Sequence, residues 1–200
     1  MISEVLDDII DKNRNLTVDE AYECMDDLVS GNYPNVVVSS FLTALRMKGE
    51  TIDEITGLTR SMKNHAVQID YKPEDYLIET CGTGGDTFKT FNVSTVASII
   101  ASAGGAKISK HGNRSVSSKF GGADALEALG VNIELSPEKV INSIDKCNFA
   151  FIFAPIYHVA TKNVMMIRKQ LKTRTVFNLL GPISCPTNVN ARLTGIYDPE

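Results

Sequence analysis

Apolar residues return every three or four positions across the first seventy residues, with interruptions that can each be named. Thr17 and Glu20 form a capping box ahead of AYECMDDLVS, and Gly31 supplies the stop. Pro34 suits the first turn of a helix through VVVSSFLTALRMK, which Gly49 ends, against the strand propensity of its opening valines. Thr51 and Glu54 repeat the capping box and open a helix to about His65, with Ile52, Ile55, Leu58 and Met62 as its apolar stripe. One stripe per helix predicts a small bundle with no evident chemistry of its own.

From YKPEDY onward, short apolar runs alternate with helical patterns, which predicts a largely parallel α/β sheet. YLIETC reads as the first strand, NVSTVASIIASAG as a helix, AKISK as a strand and ADALEALG as a helix. SPEKVINSIDKC follows as a helix capped by Ser136 with Pro137 at its first position, then FAFIFA as a strand and KNVMMIRKQL as a helix. ARLTGIY reads as a strand whose crossover is not built before the sequence stops. The expected fold class is α/β: a helical bundle over residues 1–72 and a C-terminally incomplete, largely parallel α/β domain over 73–200.

Composition narrows the function. Hydrophobic residues at 43% and charged residues at 22% describe a folded chain and exclude a disordered tail. A formal charge of −4 disfavours a nucleic-acid partner. No apolar stretch approaches bilayer length, and MISEVLDDIIDK is too acidic for a signal peptide, so no membrane partner and a cytoplasmic address are expected. Cys24, Cys81, Cys147 and Cys185 are widely spaced and read as reduced thiols.

Three segments carry candidate chemistry. CGTGGD, directly after a predicted strand, lets backbone amides approach a ligand that side chains would block; a tight turn without a ligand is the alternative. It is neither a Walker A loop nor G-x-G-x-x-G. Asn92, Ser94 and Thr95 open the next helix, where hydroxyls and unsatisfied N–H groups suit an anion or a cation, or simply cap the helix. KHGNRSVSSKFGG, from Lys110 to Gly122, follows the strand AKISK and is too polar for a buried strand. It holds Lys110, Arg114 and Lys119 with serines and glycines, the inventory for enclosing phosphates at the carboxyl end of a sheet; a solvated basic loop is the alternative. His111 and His158 lack an evident carboxylate partner and read as packing or hydrogen-bonding residues; Arg168 reads as a surface residue with a buried stem.

Taken in order, CGTGGD, NVST, KHGNR with SVSSK, the AD-x-LE-x-LG helix and RTVFNLLGP resemble the anthranilate phosphoribosyltransferases, over essentially all 200 residues. The family joins a helical homodimerisation domain to an α/β domain related to class II nucleoside phosphorylases. The resemblance implies that residues 1–72 are joined by about 160–182 in the helical domain. It implies contacts to phosphoribosyl pyrophosphate (PRPP) from Gly82, Gly85, Asp86, Thr90, Asn92, Val93, Ser94 and Thr95. Further contacts are implied from Lys110, His111, Gly112, Asn113, Arg114, Ser115, Val116, Ser117, Ser118 and Gly122. Anthranilate would meet Gly82, Asn113, His158 and Arg168. Two Mg²⁺ ions are implied, with Ser94 as a ligand. The family's Asp-Glu pair that binds both ions falls past Glu200, so the chain reads as the N-terminal part of such an enzyme and is expected to be inactive alone. Gly122 stands where many relatives carry Ser or Thr, and YHVA replaces the commoner YHPA.

The reaction implied is displacement of pyrophosphate from the anomeric carbon by an aromatic amine, in tryptophan biosynthesis. That amine is neutral at pH 7 and needs no strong base, and no acid-base residue is assigned. A pyrimidine nucleoside phosphorylase-like enzyme and a non-catalytic nucleic-acid-binding relative are the alternatives. KHGNR with Arg168 fits a carboxylate substrate better than the first, and the acidic charge opposes the second.

Overall fold

The computed structural model describes residues 1–83, 91–114 and 121–196. Its elements in chain order are α1 (Ile2–Lys12), α2 (Val18–Ser30), α3 (Asn35–Lys48), α4 (Ile52–Asn64), β1 (Leu77–Gly82), α5 (Val93–Ala103), β2 (Lys107–Gly112) and α6 (Gly122–Ala128). There follow α7 (Pro137–Cys147), β3 (Phe149–Phe153), α8 (Ala154–Tyr157), α9 (Lys162–Leu171), α10 (Phe177–Ile183) and β4 (Ala191–Gly195). They form two compact units, Met1–Ala66 with His158–Ser184, and Val67–Tyr157 with Cys185–Glu200. The division falls after Ala66, ahead of the expected residue 72, because Ile69 and Tyr71 are buried in the core of the second unit.

The first unit is helical. Both expected capping boxes form: Glu20 N–H donates to Thr17 Oγ1 at 3.2 Å and Glu54 N–H to Thr51 Oγ1 at 3.3 Å, with the reciprocal bonds to each glutamate. Gly31 ends α2 at φ 71°, where only glycine is unstrained. Phe41, Leu42, Leu45 and Leu58 form the centre of the core, joined by Val164 and Ile167 of α9 and Leu180 of α10. Ile52 departs from the expected stripe. It is 83% exposed on the first turn of α4, and Glu54 is buried in its place. That carboxylate accepts Leu16 N–H at 2.8 Å, Thr51 N–H at 2.8 Å and Lys48 Nζ at 2.9 Å. Burial pushes its pKa up, but those bonds outweigh it and hold the group below the usual carboxylate range. Gly57 allows α4 to close on α2: a Cβ there would collide with the Val18 carbonyl and stand 2.8 Å from the Ala21 Cβ.

The second unit is built on a parallel sheet of order β3-β2-β1-β4, with Ile78↔Ala191 through Gly82↔Gly195 and Ile108↔Phe149 through Gly112↔Phe153 in register. Alternation along the strands separates two faces. On one, Thr80 meets Ser98 of α5, and Phe151 packs with Ala123 and Leu126 of α6. On the other, Ala150 and Ile152 pack with Val140 and Ile144 of α7. Ser136 occupies the expected cap position of α7 but makes no side-chain capping bond. β2 runs past the expected AKISK through Gly112, so Lys110 and His111, at the start of a segment expected to be too polar for a buried strand, are buried strand residues. The short helix α8 and the Pro-containing α10 carry no helical periodicity of their own and are additions to the expected set.

Candidate active site

The strands of a parallel sheet end together, and ligands of α/β folds gather there. β1 ends at Gly82, whose neighbour Thr83 donates its N–H to Gly195 O at 3.0 Å. Asn92 stands at the cap position of α5 without capping it; its Nδ2 donates instead to Gly121 O at 3.3 Å, tying α5 to the start of α6. The expected alternative of a side-chain-capped helix is therefore not what Asn92 provides. Ser94 and Val93 are exposed on the first turn, while Thr95 is 2% exposed and its Oγ1 has no hydrogen-bond partner among the described residues.

Lys110 is the centre of this arrangement. It is 4% exposed, and Nζ donates to Thr80 O at 3.0 Å and Ser94 Oγ at 3.2 Å. Among the described residues it has no ion pair, and burial pulls its pKa below the usual ammonium range. A buried ammonium whose partners among the described residues are neutral oxygens has the charge to attract an anion. Gly122 lies against the same group: a Cβ there would stand 3.3 Å from Thr95 Oγ1 and 3.9 Å from Lys110 Cε. Gly112 is tighter still, since a Cβ would stand 2.9 Å from the Phe151 ring.

The neighbouring residues divide. His111, one step along β2, points to the opposite face, where Nδ1 lies 4.0 Å from Glu79 Oε1, so the carboxylate the sequence did not reveal is present. Arg192 Nε is 2.7 Å from the other oxygen of Glu79, yet burial dominates and pushes that carboxyl up to about 7. Glu79 was legible only as an acid in the middle of an apolar strand. Asn113 Oδ1 accepts Arg114 N–H at 2.7 Å. Arg114 is engaged within its own unit: it pairs with Glu127, Nη2 donating to Oε1 at 2.8 Å, reaches Asp124 at 3.5 Å, and lies 5.4 Å over the Phe153 ring. Gly85, Asp86, Thr90, Ser115, Val116, Ser117, Ser118 and Lys119 lie outside the described residues.

The remaining two expected site residues belong to the helical unit. His158 is 3% exposed; burial lowers its pKa to about 4, against hydrogen bonds with the backbone of Ser184 and Met62, so its imidazole is neutral. Arg168 is half-buried and not a surface residue. Its Nη2 donates to Asn178 Oδ1 at 3.2 Å, and its guanidinium lies 5.3 Å over the Phe177 ring. Among the described residues, no cluster of three or more His, Cys, Asp or Glu could hold a metal, and no helix is long and apolar enough to cross a membrane. All four cysteines are free thiols.

Residues 74–200 match the glycosyl transferase family a/b domain, and residues 3–66 match the helical bundle domain of the same family. The chain belongs to the glycosyl transferase family. It is 50% identical over 200 residues to the anthranilate phosphoribosyltransferase of Thermoanaerobacter sp. strain X514, covering 100% of this chain. The crystal structure of anthranilate phosphoribosyltransferase from Thermus thermophilus superposes with a TM-score of 0.90 at 39% identity over 98% of the chain. The anthranilate phosphoribosyltransferase from Saccharomyces cerevisiae, in complex with PRPP and Mg, superposes with a TM-score of 0.89 at 30% identity over 99% of it. In each case the chain spans 59% of the relative's own length.

Proposed function

We propose that this chain supplies the PRPP-binding residues, and residues that recognise anthranilate, of an enzyme transferring the phosphoribosyl group from PRPP to the anthranilate amine. The observation that carries the reading is Lys110, buried beside the hydroxyl of Ser94 with no ion pair among the described residues. In the reaction, the amine nitrogen bonds to the anomeric carbon as the bond to pyrophosphate breaks, and the amine proton leaves to solvent. Lys110 stabilises the charge that develops on pyrophosphate, and the backbone at Gly82 admits it closely. The neutral His158 and the carboxylate-paired His111 are not required as bases.

The donor set bears on the metal. Ser94 offers one neutral oxygen with an ammonium 3.2 Å away, which does not make a cage for a bare divalent ion but fits one that arrives on a polyphosphate. Ser94 would be its ligand from the described residues, and Mg²⁺ when bound supplies positive charge to the leaving group. Anthranilate recognition is assigned to Gly82, Asn113, His158 and Arg168 by the resemblance. A cytoplasmic homodimer formed through the N-terminal helices belongs to the same proposal; Val36 and Met47, exposed at 76% and 83%, are apolar positions available for it.

Calorimetric titration of the 200-residue chain with PRPP and Mg²⁺ tests the reading. Saturable heat that inorganic pyrophosphate competes away is expected, and no heat at millimolar PRPP would overturn it. Turnover of the isolated chain, followed by loss of anthranilate fluorescence, is expected to be undetectable.

A further inference from the structure

Arg168 on α9 and Asn178 on α10 meet through a hydrogen bond from Nη2 to Oδ1 of 3.2 Å. The same amide oxygen accepts the Thr175 N–H at 3.2 Å, so one side chain ties the guanidinium to the turn that opens α10. That turn is itself held: Arg46 of α3 donates to the Arg174 carbonyl at 2.6 Å and to the Thr173 hydroxyl. Nη1 of Arg168 faces the Met165 sulfur at 3.1 Å, and the Phe177 ring lies under the plane of the group. The guanidinium is thus fixed from several sides without a carboxylate among the described residues. Its Nε is buried and has no hydrogen-bond partner among them.

The bond to Thr175 does not by itself call for an amide. An aspartate at position 178 would also accept the Thr175 N–H and favour the first turn of α10, and it would satisfy Arg168 more strongly through a charge-assisted bond. It would also cancel the charge. An amide satisfies one donor and leaves the positive charge, and a buried Nε–H without an acceptor, for something else.

We propose that Asn178 is a positioning residue for recognition of the aromatic acid, holding the Arg168 guanidinium in a fixed plane while leaving its charge and its Nε edge to the substrate carboxylate. This rests on the reading of Arg168 as the carboxylate's partner. The role of Asn178 is geometric and electrostatic: it touches Arg168, not the reacting atoms.

The test uses the 200-residue chain labelled with ¹⁵N, with the Arg168 Nε–H resonance assigned by its disappearance in Arg168→Lys. In Asn178→Ala that resonance is expected to move to the position of a solvated arginine and exchange with water about tenfold faster or more, and affinity for benzoate to fall about tenfold. Asn178→Asp separates positioning from mere packing: it retains the Thr175 bond and an ordered Arg168 resonance, yet loses benzoate more completely than the alanine variant. An Arg168 resonance unchanged in Asn178→Ala overturns the proposal, as does an Asn178→Asp variant that binds benzoate like the unaltered chain. If Arg168→Ala abolishes benzoate binding while both Asn178 variants bind normally, only the positioning role falls. If benzoate fails to bind the unaltered chain, or ignores Arg168→Ala, the reading of Arg168 falls and the proposal with it.

Discussion

Lys110 Nζ lies 3.2 Å from Ser94 Oγ, joining the middle of a buried strand to the exposed first turn of α5. The strand makes the lysine rigid and dry, and the helix start supplies a hydroxyl and oriented amides. A dry, fixed ammonium gains more from an incoming phosphate than a solvated one does, because less water screens the pair. Lys110→Met keeps the length and apolar stem and removes only the charge. We expect it to weaken PRPP binding by about two orders of magnitude, as loss of a charge-assisted contact at a desolvated site does, while leaving the urea midpoint unchanged or raised. Calorimetry beside urea unfolding checks both halves.

Arg114 belongs to the same basic segment, but Glu127, Asp124 and the Phe153 ring already engage it. Arg114→Ala is expected to change PRPP affinity less than about threefold, the scale of a screened surface charge. An effect equal to that of Lys110→Met would show that Arg114 leaves Glu127 when the ligand binds.

Gly57 sets the spacing between α2 and α4, where an added Cβ meets the Val18 carbonyl and the Ala21 side chain. Neither is the end of a flexible side chain, so the helices must separate. Gly57→Ala is expected to cost about 1–3 kcal/mol despite its better helix propensity, and Gly57→Val more, measured as a lowered urea midpoint.

Much of this was legible from the sequence. The capping boxes at Thr17 and Thr51 and the stops at Gly31 and Gly49 are local chemistry, and they placed α2, α3 and α4 closely. Less legible were residues whose partners are distant in the chain. Glu54 reads as a capping residue, but its burial follows from Leu16 and Lys48 as well. The burial of Lys110 and His111 depends on β2 being flanked by β1 and β3, which no pattern within KHGNR reveals. The pairing of Arg114 with acids of α6 is likewise not visible in a reading of its loop alone. Asn178 sits inside RTVFNLLGP, where its only signal is a polar side chain beside apolar neighbours.

Two buried groups give the stability of the chain opposite responses to acid. His158 has a folded pKa of about 4 against an ordinary 6.5, so the unfolded chain takes up its proton first. Its contribution is complete above pH 6.5 and is lost as pH falls toward 4, an amount of about 3 kcal/mol. Glu79 has a folded pKa of about 7 against an ordinary 4.5, so the folded chain holds the proton longer. Its contribution is complete below pH 4.5 and is lost as pH rises through 7, by a similar amount of about 3 kcal/mol. Between pH 7 and 4.5 the two slopes oppose each other, and they sit in different units, His158 in the helical unit and Glu79 in the sheet. Each should therefore be visible in the probe that reports its own unit. With His158→Gln, the helical unit is expected to lose its destabilisation on going from pH 7 to pH 5, measured by hydrogen exchange at the α4 and α9 amides. With Glu79→Gln, the sheet unit is expected to lose the gain in stability it otherwise shows over that interval, measured by hydrogen exchange at the β1 and β2 amides. Identical pH slopes in either variant and the unaltered chain would mean that the group is not buried in the state that unfolds.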